Sequence, residues 1–178
     1  YGGDGDDRLI ITDWTHIMAG ETYAGGLGAD ALDGLAVTQA ATFVGSTISG
    51  IEYLYGFSGG LTLTASQLHA INGSISTGTL SVATTGLIDL TDTVVATDII
   101  NLSAGGNTLL LQGVYSIFGM FDGRVNGGAG ADTVTVSTSS YGFVPTGVTL
   151  NGYGGDDALT SGNGADTLTG GTGNDALY

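Results

Sequence analysis

GYGGDDALTSGNGADTLTGGTGNDALY, residues Gly152 to Tyr178, decides how this chain is read. Leucine recurs every ninth position, at Leu159, Leu168 and Leu177. Two residues ahead of each stands an aspartate (Asp157, Asp166, Asp175), and two ahead of that a glycine (Gly155, Gly164, Gly173). Three nonapeptides therefore run head to tail. In each, glycine-rich turn residues lead into a very short strand whose central leucine points inward. The glycines supply positive φ, or let carbonyls converge with no side chain between them. One nonapeptide makes half a coil and the next brings the chain back over its start, so like positions stack at every second nonapeptide. Asp157 and Asp175 are then expected on one edge and Asp166 on the opposite one.

Aligning on the Asp-x-Leu pairs recovers three more copies, Gly2–Ile10 (GGDGDDRLI), Gly25–Asp33 (GGLGADALD) and Gly127–Thr135 (GGAGADTVT). All six fit G-G-x-G-x-D-x-U-x, with U a large aliphatic residue, except that Tyr153 takes a second-position glycine's place and Ser161 a first-position one's. Stacked strands lie about 4.8 Å apart, and a calcium–oxygen bond is about 2.4 Å. A cation lodged between two such turns can touch carboxylates and carbonyls from both. It would hold together turns that aspartate repulsion and glycine entropy otherwise drive apart. A flexible Gly/Asp linker, or the turns of an ordinary all-β protein, is the plain alternative; six copies, three in strict register, argue against it.

These residues resemble the RTX, or hemolysin-type calcium-binding, repeat family over the six nonapeptides, a little under a third of the chain. The resemblance implies a parallel β-roll, Ca2+ as the bound cofactor, and export from a Gram-negative bacterium by type I secretion. It also implies that Asp7, Asp30, Asp132, Asp157, Asp166 and Asp175 ligate the metal. The glycines whose carbonyls are candidates beside them are Gly3, Gly5, Gly26, Gly28, Gly128, Gly130, Gly155, Gly162, Gly164, Gly171 and Gly173. Asp7, Asp30 and Asp132 stand in single motifs, with no repeat neighbour two nonapeptides away.

Residues 34–126 hold no nonapeptide. They carry short β-branched and leucine-rich runs instead: TFV (42–44), IEYLY (51–55), LTLT (61–64), TLSVA (79–83), LIDL (87–90), IINL (99–102) and TLLLQ (108–112). Val44, Leu63, Val82 and Leu102 follow one another at a nearly even spacing, slightly wider than two nonapeptides. The expected fold is an all-β parallel solenoid, a β-roll or β-helix. Calcium-bound turns are expected over 1–33 and 127–178, with an apolar-cored central solenoid over 34–126. TASQLHAI (64–71) reads as a helical turn on the outside. An antiparallel sandwich is the competing fold.

Composition narrows the function. Seventeen acidic residues against Arg8 and Arg124, with no lysine, give a formal charge of −15. That disfavours nucleic acid and anionic membrane surfaces, which demand basic clusters, and points to cations as partners. There is no cysteine for disulfides or thiolate metal sites, no apolar run long enough to cross a membrane, and nothing resembling a signal peptide at Tyr1. The start in mid-motif reads as an excerpt of a longer polypeptide. Overlaying Tyr1 on Tyr178 continues the nonapeptides unbroken and sets Asp166 two nonapeptides from the next copy's Asp7. That suggests one unit of a tandem array, or coils stacking end to end.

Catalytic patterns are weak. GFSGG (56–60) matches a nucleophile elbow, but a strand-like LTLT follows where a helix is needed, so a turn is expected. His16 and His69 belong to no zinc motif, and His16 reads as a loop residue. Glu52 reads as solvated and outward-facing, for lack of a convergent acid. Asp4, Asp6, Asp33 and Asp156 are expected to solvate exposed turns, and Arg8 and Arg124 to pair locally with acids. Trp14 and the eight tyrosines are candidates for a carbohydrate-stacking surface, with core or interface packing the plainer alternative. A non-enzymatic role is therefore expected: a calcium-dependent structural module of an extracellular bacterial surface protein such as an adhesin, surface layer or filament subunit. The calcium-binding region of a secreted enzyme is the second reading. An ice-binding module, suggested by GTGND (171–175), is the third.

Overall fold

The computed structural model describes residues 1–112, 123–137 and 147–178. Its strands pair mostly with the strand a full coil further on, and every pair among the described residues is parallel. That excludes the antiparallel sandwich and makes the chain a β-solenoid of about seven turns.

Two stacks of strands form its main walls. One runs through Arg8–Ile10, Ala31–Val37, Tyr53–Phe57, Ser74–Val82, Val94–Asn101, Arg124–Asn126, Thr149–Gly154 and Thr167–Thr172. The other runs through Gly86–Leu90, Asn107–Gln112, Thr133–Ser137, Ala158–Thr160 and Ala176–Leu177. Five of the seven nonapeptide-free runs thus supply strands of these walls, while TFV and LTLT give the short strands Ala41–Thr42 and Leu61–Leu63, which pair with each other beside the first wall. Ser74–Val82 turns a corner: its first half pairs with Tyr53–Phe57 and its second half with Leu61–Leu63.

Alternation along each strand builds the core, because every second side chain points inward and parallel register stacks like on like. Leu9, Leu32, Leu54, Ile75 and Val95 form one such column. Ile88, Leu109, Val134, Leu159 and Leu177 form another. Leu32, Leu54, Ile75, Ile88 and Leu109 are wholly buried, and each contributes about 1.5–3 kcal/mol. The repeat leucines behave as expected, although Leu177, in the last coil, is half exposed.

The sequence-derived spacing needs one correction. Val44 is exposed, and the residue that faces inward is the neighbouring Phe43, buried edge-to-face against Tyr23 and Phe57. Thr42 stands opposite Thr62, so it is Phe43, one position before Val44, that aligns with Leu63. TASQLHAI does form a helix, Ala65–His69, closed by a Thr64–Gln67 capping box. It does not simply lie outside, since Leu68 is fully buried and the Gln67 amide donates to the carbonyls of Phe43 and Ser46. GFSGG ends the strand Tyr53–Phe57 and turns over 58–60 into Leu61–Leu63, a strand and not a helix, with the Ser58 hydroxyl donating to the Val37 carbonyl.

Coil length is not constant. Arg8, Ala31, Tyr53, Ser74 and Val94 are successive partners in one wall, and each coil between them is one residue shorter than the last. The next two coils, Ile99 to Arg124 and Arg124 to Thr149, are the longest of this wall. The coil from Thr149 to Thr167 spans just two nonapeptides and is the shortest. This variation decides which acids meet.

Candidate metal centre

The repeat aspartates stand where a turn enters a strand, and there they build ladders. Asp30 Oδ1 accepts the backbone N–H of Asp7 at 2.8 Å, and Glu52 Oε2 accepts that of Asp30 at 2.8 Å. At the other end Asp132 accepts from Asn107 and Asp157 from Asp132, both at 2.8 Å, and Asp175 accepts from Asp157 at 3.1 Å. Each accepting carboxylate therefore spends one oxygen pinning the coil before it. Asp157 and Asp175 share an edge and Asp166 lies in the opposite wall, accepting from the N–H of Val148 at 2.8 Å. Asp7, Asp30 and Asp132, without repeat neighbours two nonapeptides away, find partners at sequence separations of 23, 22 and 25.

The second oxygens are the unusual feature. Asp7 Oδ2, Asp30 Oδ2 and Asp157 Oδ2 are buried without a hydrogen-bond partner, whereas Asp132 Oδ2 accepts from the N–H of Gly128 at 2.8 Å. All four lie against the first glycine of their own repeat. A Cβ on Gly2, Gly25 or Gly127 would sit 2.6 Å from the Oδ2 of Asp7, Asp30 or Asp132, and one on Gly152 would overlap that of Asp157. The carbonyl oxygen of the following coil crowds the same place, from Gly25, Gly50, Gly152 and Gly170 in turn. A side chain there has no room, so carboxylate and carbonyl close on each other from adjacent coils.

The remaining repeat glycines shape these turns. Gly3, Gly5, Gly26, Gly28, Gly155, Gly162, Gly164, Gly171 and Gly173 adopt positive φ. Gly128 and Gly130 do not, and are required instead by close approach of the Ser103 carbonyl and the Gly106 amide. Tyr153 adopts φ +71 where the repeat places glycine.

Such oxygens fit a hard cation. A buried, unpartnered carboxylate oxygen is costly. Carboxylates and backbone carbonyls are the ligands calcium takes in flexible geometry. No cluster of three or more His, Cys, Asp or Glu side chains converges among the described residues, so carbonyls would have to complete any site. The second ladder even shows a donor group bridging two coils as a cation could. The Asn107 side-chain amide donates to Asp132 Oδ1 at 2.8 Å and to the carbonyls of Ser103 and Gly105.

Burial pushes the Asp157 carboxyl above the usual aspartate range; the N–H of Asp132 opposes this, and the charges of Asp132, Asp175 and Asp156 add to it. The folded state therefore holds that proton more tightly than the unfolded chain. Its contribution is fully present below the ordinary aspartate value and is lost as pH rises through the folded one. In chelator, the β-sheet circular dichroism that survives should accordingly be greater at about pH 4.5 than at about pH 7. A surviving signal that grows with pH in chelator would contradict this.

Three sequence readings are overturned here. Glu52 is not a free outward acid but the third member of the first ladder, half-buried on Asp30. Asp33 does not solvate a turn. It is 2% exposed and paired with Arg8 of the preceding coil, through Nε at 2.7 Å and through Nη2. Arg8 thus pairs across coils rather than locally. Asp4, Asp6 and Asp156 are exposed as expected, although Asp6 and Asp156 also accept N–H groups from Ala29 and Asn174. His16 closes a single 3-10 turn, Trp14–His16. His69 Nε2 accepts the N–H of Asp89. Tyr115 and Tyr141, among the aromatic candidates for carbohydrate stacking, lie outside the described residues. Glu52 and Asn107 escaped the sequence alignment, although E-Y-L-Y and N-T-L-L each retain the polar-x-aliphatic-x core of the repeat.

Fold and site together define the class, a parallel β-solenoid whose corners carry stacked acids. No protein-family model, curated protein or solved structure matches the chain.

Proposed function

We propose that this chain is a calcium-dependent structural module of a secreted bacterial surface protein, of the adhesin, surface-layer or filament kind, without catalytic activity of its own. The observation that carries the reading is the set of buried, unpartnered carboxylate oxygens facing glycine carbonyls of the next coil. The chain has only two basic residues to neutralise them, and Arg8 is engaged by Asp33. The nonapeptides' resemblance to RTX repeats supports calcium as the ion and type I secretion as the route. Calcium scarcity in the cytosol would keep the chain open for export, and its abundance outside would fold it, because binding energy acts as folding energy.

Self-association end to end is part of the proposal. Tyr1, Ile10, Leu177 and Tyr178 are exposed on the outermost coils, whose strands have an unpaired edge. Like coils stacked there, from the same polypeptide or another copy, would cover both. Isothermal titration of chelator-treated chain with calcium, read beside its size on a column, tests the reading. Several ions per chain at roughly 0.1–1 mM affinity are expected, with larger species appearing as they bind. A flat titration at millimolar calcium would remove the proposal's foundation.

A further inference from the structure

We propose that the gap between the second and third coils is a cation site in which Glu52 takes the place of the repeat aspartate, so that the metal column extends beyond the six nonapeptides. The inference rests on the calcium reading above and adds a ligand, Glu52, from a coil that the repeat pattern does not mark.

The two coils are in register on both sides of the turn, with Ala24 opposite Ser49 and Ala31 opposite Tyr53. Between these points the second coil uses residues 25–30, while the third uses only Gly50, Ile51 and Glu52. The third turn is three residues shorter, and the acid that closes it is one methylene longer. That longer arm brings Glu52 Oε2 to 2.8 Å from the Asp30 N–H, the bond Asp30 itself makes to Asp7. Glu52 is thus the ladder's next rung despite the missing nonapeptide.

The oxygens in the gap match those of the repeat-bearing coils. Asp30 is 0% exposed and its Oδ2 has no partner. That oxygen and the Gly50 carbonyl crowd the same side of Gly25, as Asp7 Oδ2 and the Gly25 carbonyl crowd Gly2, and as Asp157 Oδ2 and the Gly170 carbonyl crowd Gly152. Gly50 belongs to no nonapeptide, yet its carbonyl occupies the repeat position. The Glu52 carbonyl is already taken by the N–H groups of Gly73 and Ser74, so the carboxylate is what Glu52 can offer. Asp7, Asp30 and Glu52 place three acids in successive coils, and the guanidinium nearest them in the chain, Arg8, is held by Asp33. In the fourth coil the position falls to Gly73, which ends the column. All the available atoms are hard oxygens, and the ligand class is a calcium-sized divalent cation.

Calcium titration of the whole, chelator-treated chain compares wild type with Glu52→Gln and Glu52→Asp. Glutamine keeps an acceptor for the Asp30 N–H but removes the charge. It should bind one ion fewer per chain, with the circular dichroism of the calcium-saturated state unchanged. Aspartate keeps the charge on a shorter arm and should keep the count while weakening one site by about tenfold, the scale on which ligand charge and fit tune calcium sites. If Glu52→Gln does not fold in saturating calcium, Glu52→Asp decides alone, and unchanged affinity at every site overturns the inference. A Glu52→Gln protein with the wild-type count and affinities overturns this site and leaves the repeat sites standing. A wild type that binds no calcium overturns both.

Discussion

In excess chelator the chain is expected to lose most of its β-sheet circular dichroism, and millimolar calcium is expected to restore it. The size of the effect follows from linkage. An ion present at tenfold its dissociation constant adds about 1.4 kcal/mol to the folded state. The two gaps in which an unpartnered oxygen of a repeat aspartate meets a stacked glycine carbonyl, those of Asp7 and Asp157, would together contribute about 3 kcal/mol. That is a large share of the stability of an ordinary domain, about 5–15 kcal/mol. The converse cost is also large. Like charges about 4.8 Å apart repel by roughly 3.5 kcal/mol at an effective dielectric of 20, and the buried oxygens gain no hydrogen bond in exchange.

The loss should be graded along the molecule. Central coils built on Phe43, Phe57, Leu63 and Leu80 are closed by apolar contacts. The last coils rest on Asp157, Asp166 and Asp175, with Leu168 and Leu177 only partly buried. Native-state hydrogen exchange during calcium withdrawal should lose protection around Leu159 and Leu168 before it does around Leu80. Equal circular dichroism and equal exchange with and without chelator would mean that the turns need no ion.

Phe57→Ala should unfold the chain at much lower urea even in saturating calcium, at a cost of about 3–5 kcal/mol. Phe57 is fully buried, packs edge-to-face on Phe43 at 5.7 Å between centroids, and fills the space beside Gly34, where no Cβ would fit. A stacked coil cannot collapse inward to close the void, because backbone hydrogen bonds to both neighbours hold its perimeter. The calcium count should not change, since the repeat aspartates stand at the turns rather than in this part of the core. A loss under about 1 kcal/mol would be incompatible with the interior described here. The contrast separates the proposed ions from the core: chelation would act at the corners, and Phe57→Ala removes the filling.

Much of this architecture is legible in the sequence. A leucine every ninth residue, an aspartate two before it and glycines before that require a short strand, an inward side chain and a tight turn, because each choice is local. The pairing of Asp157 with Asp175, and Asp166 on the opposite wall, follow from the same repeat. Most of the β-branched runs of residues 34–126 announce strands that join the same walls.

What tertiary structure decided is register between coils. Backbone hydrogen bonds align strands from one coil to the next, whereas the turns between them tolerate different lengths. Ladder partners consequently stand at sequence separations from 18, for Asp157 and Asp175, to 25, for Asp132 and Asp157. No local pattern encodes those lengths. Only the folded chain could therefore set Asp7 beneath Asp30, bring Glu52 onto Asp30 and Asn107 onto Asp132, bury Asp33 against Arg8, and turn Phe43 inward in place of Val44.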